Sequence, residues 1–415
     1  MIDLKPMSLI LSFAAALALS LLNFLTVAAV LPDLIVAWSL NKTQAGLLVS
    51  AYFAGYMAAI LFVASLTDRI DPRRIYIAGG LCGGLSSILL ALVADGFWLT
   101  IVLRFLGGVA FSGMYMPGLR ALTDALPPAQ RNRGIVYYTS CFALGSGFSI
   151  FAAGRIAAAL DWRWAFGIAG LGSFAALAIV AIVLRPRDPA ARPGAAARPA
   201  TQRAAFGKVF ENRRAMAYIL AMYGVGWEVF GFRSWIVTYL AGRQAAERAV
   251  DASVVFWLTP ADVAFATAVA GIPASVVFGE WAARTNRETL MISVASVSLV
   301  LAATMALSVS MPYGVLLAVA FVFSMTSFGR SSATTAGMMS AAAEEVRGAT
   351  MAAYSFVAFL AGLTSPLGIG FVLDMSNIAL GYVSWTAGFL AIALGSSISI
   401  AGYTLARRAS LQAGA

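Results

Sequence analysis

The chain is 415 residues long, 61% hydrophobic and 11% charged, with a formal net charge of +10 at neutral pH and no histidine. So much apolar surface cannot be hidden in a soluble domain of this size, and the lack of histidine excludes imidazole metal sites and imidazole acid–base chemistry. The basic excess does not mark a nucleic-acid binder, because the arginines sit in short loops between apolar runs, the pattern of a positive-inside membrane protein.

A helix needs ~20 apolar residues to cross a bilayer. Twelve such runs use nearly the whole chain, at roughly 9–36, 44–66, 75–94, 97–120, 134–158, 164–184, 215–240, 261–283, 289–309, 313–338, 349–373 and 381–405. The first run follows Lys5, but it is longer than the ~7–15 residues of a signal core, so an uncleaved first span is predicted. Arginines gather after spans 2, 4, 8 and 10 and in the C-terminal tail, which predicts that both termini face the cytoplasm; Arg243 and Arg248 after span 7 are exceptions. Cys82 and Cys141 lie within apolar runs and read as packing residues, not as a disulfide framework.

The stretch 185–214 opens RPRDPAARPGAAARPA. It carries too little apolar surface to fold and too much proline for a stable helix, so it is predicted to be a cytoplasmic linker between an N-terminal six-helix half, 1–184, and a C-terminal half, 215–415. The halves repeat. Arg133-Gly134 after span 4 matches Arg347-Gly348 after span 10, and Gly154 in span 5 matches Gly368 in span 11, both at an offset of 214. Parallel repeats of this kind build many transporters.

Between spans 2 and 3 the chain reads Leu61 to Arg74, LFVASLTDRIDPRR. Its small-x-x-x-Asp-Arg-x-turn-Pro-Arg-Arg spacing resembles the loop between transmembrane helices 2 and 3 of the major facilitator superfamily. Ala64 and Asp71 stand where that family usually carries glycine, and the Asp68-Arg69 core and the basic end are intact. A weaker echo runs from Gly279 to Arg287, GEWAARTNR, with Ala283 at the Asp position. The resemblance covers roughly 9–405. It implies an all-α membrane protein of twelve transmembrane helices in two pseudo-symmetric six-helix bundles, working as a secondary transporter by alternating access. It further implies a charge cluster of Asp68, Arg69, Arg73 and Asp124 that gates the cytoplasmic side; charge that only sets topology is the plainer reading of those four residues.

Charged residues inside the spans are expensive and are the candidate functional groups. Arg104 lies about seven residues inside span 4, ~10 Å below its boundary, and the motif Arg104-x-x-x-Gly108 resembles the family's fourth-helix signature. Arg104, Gly108, Phe111 and Tyr115 share a helical face. The arginine either hydrogen-bonds a neighbouring helix or serves substrate or proton. Glu228 sits about 13 residues into span 7, ~20 Å deep, beside Trp227 and Phe230. An ionised carboxylate there needs a cation partner, so Glu228 is either a proton-coupling site or half of an ion pair. Arg233 falls on another face of the same helix. Arg330 is the one charge of span 10, and with spans 1, 4, 7 and 10 lining the cavity in the resembled family it is the leading candidate for an anion contact, a snorkelling or helix-interface role being the plainer reading. Asn23, near the middle of span 1, either faces the same cavity or is a polar packing residue. The glycines of spans 5 and 11 do not complete the family's antiporter signature and read as close-packing positions.

Three intramembrane arginines against one deep acid favour a small organic anion such as a carboxylate as substrate, with Glu228 coupling its movement to protons; Arg330, Arg104, Arg233, Asn23, Tyr115 and Trp227 are the expected substrate contacts. Two alternatives stay open: a proton-driven exporter of apolar or cationic compounds, and a non-transporting scaffold or sensor of the same fold. No enzyme, metal or cofactor is expected. A monomer in a bacterial inner membrane is the family default.

Overall fold

The computed structural model describes residues 5–67, 69–184, 207–307 and 310–413. Its helices are α1 (Pro6–Leu21), α2 (Thr26–Ala37), α3 (Lys42–Leu66), α4 (Pro72–Val93), α5 (Phe97–Ala125), α6 (Arg131–Ala159), α7 (Trp162–Val183), α8 (Arg213–Val250), α9 (Pro260–Arg284), α10 (Arg287–Ala306), α11 (Tyr313–Ala341), α12 (Arg347–Leu380) and α13 (Trp385–Ala413). Among the described residues there is no strand, and twelve segments are long and apolar enough to cross a membrane. Asp68, expected in the gate, and most of the expected linker lie outside the described residues.

The helices show the inverted amphipathicity of a membrane protein. On α4 the glycines Gly79, Gly80, Gly83 and Gly84 are buried, while Leu81, Leu85, Leu89 and Leu92 are exposed. Lipid is as apolar as leucine, so large side chains gain nothing by facing inward, and small residues let backbones approach. Gly108 of α5 sits against the Tyr52 carbonyl of α3, and Gly55 of α3 against the Phe105 carbonyl of α5. A β-carbon at either position would collide with main chain, so the α3–α5 crossing requires both glycines.

Helix ends follow local chemistry. Asp71, Asp161 and Asn286 cap α4, α7 and α10 through their side chains. Gly381, at φ 76°, closes α12 in the left-handed conformation that costs other residues dearly. Two elements outrun their apolar runs. α8 continues to Val250 because AGRQAAERAV is made of good helix formers and carries an Arg243–Glu247 pair at i,i+4, 2.8 Å apart. α12 continues to Leu380 until the glycine stops it. Span 1 departs in the other direction: its continuous apolar run is two helices with a break at 22–25.

By contacts the chain falls into two compact units. The first comprises Met1–Leu40, Leu47–Ala197 and Ile236–Phe265, and thus α1, α2, α4–α7, most of α3, the last part of α8 and the first residues of α9. Its core includes Phe13, Leu17, Leu21, Leu31, Leu34, Phe111 and Leu122, each at most 1% exposed. The second comprises Asn41–Gly46, Arg198–Trp235 and Ala266–Ala415. It packs around Tyr218, Met291, Val294, Met338, Tyr354 and Tyr403.

Candidate functional site

Within the first unit the break in span 1 organises the polar groups. Residues 22–25 leave the helical hydrogen-bond ladder, and main-chain groups stranded at membrane depth must find other partners. Each one does. Thr26 Oγ1 donates to the Leu22 carbonyl, and the Leu25 amide donates to Ser149 Oγ of α6 at 3.3 Å. The carbonyls of Asn23 and Phe24 accept from Arg104 of α5, from Nη1 at 2.9 Å and from Nη2 at 3.2 Å. Arg104 Nη1 also donates to the Asn23 side-chain oxygen at 3.0 Å. The guanidinium carbon lies 4.5 Å from the ring centroid of Tyr52.

Arg104 is therefore a buried cation, 1% exposed, held by carbonyl dipoles, an amide and an aromatic face. Among the described residues it has no carboxylate partner, and its Nε makes no hydrogen bond. A cation in low dielectric with only dipoles around it keeps most of its attraction for an anion. Aromatic rings extend from this point. Phe111 lies 6.0 Å from Tyr52, and Tyr115 stacks on Phe111 at 5.8 Å and on Tyr138 at 6.0 Å. Arg104, Asn23 and Tyr115, singled out separately in the sequence, thus belong to one cluster. Tyr52 and Ser149 were missed. Nothing in a continuous apolar run signals a break, and only Asn23 hinted at one.

Within the second unit Glu228 of α8 and Arg330 of α11 form an ion pair, with both side chains at 0% exposure. Glu228 also accepts from Ser298 of α10, at 3.1 Å, and from Ser396 of α13. Arg330 Nε donates to the Thr326 carbonyl at 3.0 Å. Thr334 Oγ1 donates to the Arg330 carbonyl at 2.7 Å and lies 2.6 Å from Tyr403 Oη. Four helices meet here, and the charges cancel. Glu228, which the sequence offered as a proton site or half of an ion pair, thus bonds to Arg330, the leading anion candidate. Trp227 donates from Nε1 to the Ala391 carbonyl at 2.8 Å. Arg233 lies over Phe328 at 5.2 Å. Neither Trp227 nor Arg233 joins the Glu228–Arg330 pair.

Of the expected gate, Arg69 is exposed and Asp124 half-buried. Arg73 Nη2 donates to the Ala181 carbonyl near the end of α7 at 2.8 Å. Arg120, not singled out in the sequence, donates to Thr67 Oγ1 at 2.8 Å. Two further contacts were also not anticipated. Asp374 of α12 accepts from the amides of Lys42 and Thr43 and from Thr43 Oγ1, at 2.9, 2.7 and 2.6 Å, and so caps the start of α3. Arg155 of α6 pairs with Asp262 of α9 at 2.9 Å. No group of three metal-ligating side chains occurs among the described residues.

A family model described as the Major Facilitator Superfamily matches residues 10–366. Protein spinster homolog 1 of Xenopus laevis is 28% identical over 174 residues, covering 40% of this chain and 33% of that protein. A probable sulfoacetate transporter, SauU, of Cupriavidus necator is 24% identical over 216 residues, 48% of this chain and 49% of that protein. The chain thus matches a third to a half of the length of these relatives. A crystal structure of a bacterial homolog of the human lysosomal transporter Spinster, inward-facing and occupied, superposes with a TM-score of 0.77 over 98% of both chains at 15% identity. At that identity the likeness is one of fold.

Proposed function

The chain belongs to the major facilitator superfamily, and from that premise we propose that it is a secondary transporter that moves a small organic anion, a carboxylate or sulfonate, by alternating access. The observation that carries this reading is Arg104: a guanidinium 1% exposed, deep in α5, whose partners are carbonyls, an amide and a ring. Its planar fork matches a carboxylate or sulfonate, and a substrate anion supplies the counter-charge that the protein withholds. The probable sulfoacetate transporter among the relatives fits the same class. Arg330, neutralised by Glu228, holds the second unit together in this reading and does not bind substrate. The aromatic run from Tyr52 through Phe111 to Tyr115 favours a variant in which the anion carries an apolar body that lies against those rings. The protein acts as a monomer in a bacterial inner membrane with both termini cytoplasmic, its halves 1–184 and 215–415 joined by the 185–214 linker. Arg69, Arg73 and Asp124, with Asp68, gate the cytoplasmic side.

The test is thermal unfolding of detergent-purified protein against small anions, cations and neutral solutes, on wild type and Arg104→Gln. A ligand that binds only the folded state stabilises it by ~2.7 kcal/mol at a hundred times its Kd. A carboxylate or sulfonate is expected to stabilise the wild type and leave Arg104→Gln unmoved. Stabilisation by cations or apolar compounds alone would move the exporter reading ahead.

A further inference from the structure

We propose that the Asn23–Arg104 site carries its anion without a proton, and that Asn23 is the residue that sets this. The inference rests on the anion reading above and adds its mode of energy coupling. Among the described residues, the groups that contact Arg104 include none that changes charge near neutral pH. From α1 and α2 come the Asn23 amide and two main-chain carbonyls. From α3 comes the Tyr52 phenol, whose ring lies under Arg104; further along the aromatic run are Tyr56 of α3 and Tyr115 of α5, both packed on Phe111, and Tyr138 of α6, stacked on Tyr115. The cysteines of the unit are Cys82 of α4, against the Leu106 carbonyl, and Cys141 of α6. Phenols and thiols ionise near pH 10 and 8.5 in water, so neither is the kind of group that titrates at neutral pH.

The described carboxylates of this unit stand elsewhere. Asp71, Asp95 and Asp161 precede α4, α5 and α7, and Asp124 is 20 residues along α5 from Arg104, ~30 Å by helical rise. Asp33 is ten residues beyond Asn23, ~15 Å along the chain's helical path. Glu247 and Asp251 lie at the end of α8, and Asp262 is taken by Arg155. In the second unit the deep acid is Glu228. Its oxygens are taken by Arg330, Ser298 and Ser396, and its side chain is buried.

A titrating carboxylate beside Arg104 would form an ion pair that an incoming anion could break only after a proton arrived. An asparagine in its place leaves the guanidinium ready at any pH. Net movement then transfers the anion's own charge, so membrane potential and the anion gradient drive it, and a pH gradient does not.

The experiment uses the full chain in proteoliposomes with radiolabelled sulfoacetate and benzenesulfonate, whose sulfonates stay ionised from pH 5.5 to 7.5. With the potential clamped at zero, wild-type uptake is expected to change by less than about twofold when the outside is acidified across that range, and to respond to an imposed potential. Asn23→Asp is expected to gain dependence on outside acid, uptake rising about fivefold or more as its carboxylate is protonated and releases Arg104. Asn23→Ser, which adds no charge, should stay pH-independent and guards against a folding failure of the first variant. Wild-type uptake driven severalfold by a pH gradient at zero potential overturns the proposal and leaves the anion reading standing. If neither sulfonate is taken up or stabilises the protein, both readings fall.

Discussion

Removing the charge of Glu228 should strand Arg330. The pair is fully buried, and among the described residues the carboxylate is the only anionic group bonded to the guanidinium, whose Nη1 has no partner there and whose Nε has the Thr326 carbonyl alone. In Glu228→Gln the cation stays in place with an amide before it. Breaking a buried pair from one side costs ~3–5 kcal/mol, whereas replacing both members with apolar side chains of similar volume is neutral or favourable by ~1–4 kcal/mol. The Ser298 and Ser396 hydroxyls can still bond an amide oxygen, which holds the expected loss near the lower figure, ~3 kcal/mol. Glu228→Leu alone should cost at least as much, and adding Arg330→Met should recover most of that loss, giving a coupling of ~3 kcal/mol in the cycle of wild type, Glu228→Leu, Arg330→Met and the double variant. Unfolding of the purified protein in mixed micelles, titrated with a denaturing detergent, measures all four corners. A loss below ~1 kcal/mol in Glu228→Gln, or a double variant no more stable than the singles, would refute a structural ion pair. It would return Glu228 to consideration as a proton carrier.

Two other substitutions probe the polar accounting. Ser149→Ala removes the acceptor of the stranded Leu25 amide and should cost ~1–3 kcal/mol in the same unfolding assay, with Ser149→Thr largely restoring it. Asp374→Ala frees the Lys42 and Thr43 amides at the start of α3, where Asn41 still takes the Gln44 amide, and should lower stability by ~0.5–2 kcal/mol, with Asp374→Asn losing less because an amide oxygen can still accept; equal losses in the two would show that charge, not capping, sets the contact.

The architecture was legible because bilayer thickness fixes span length and because the two halves repeat. Arg133-Gly134 and Arg347-Gly348 each follow a long helix through a short 3-10 turn, at 128–130 and at 344–346. The Glu228–Arg330 pairing was not legible. The residues are 102 positions apart, and periodicity assigns each to a face of its own helix without saying which way that helix turns within the bundle. The break in span 1 was hidden for a related reason. Hydropathy reports burial in lipid or protein, and Leu22, Phe24 and Leu25 are as apolar as any helical residue. What permits the break is an arginine 81 residues away in sequence that satisfies the freed carbonyls. α8 ended late because hydropathy marks the edge of the bilayer, while helix propensity, which carries on through Ala241 to Val250, marks the end of the helix.

The central claim is that Arg104 meets the substrate's anionic group. Its most direct measurement is counterflow of a radiolabelled sulfonate or carboxylate in proteoliposomes, on wild type and on Arg104→Lys, a variant that keeps the charge and loses the fork. Saturable counterflow in the wild type, slowed about tenfold or more in the variant while it remains folded, is the predicted result. Counterflow within about twofold of wild type in Arg104→Lys, or none for any anion in the wild type, would contradict it.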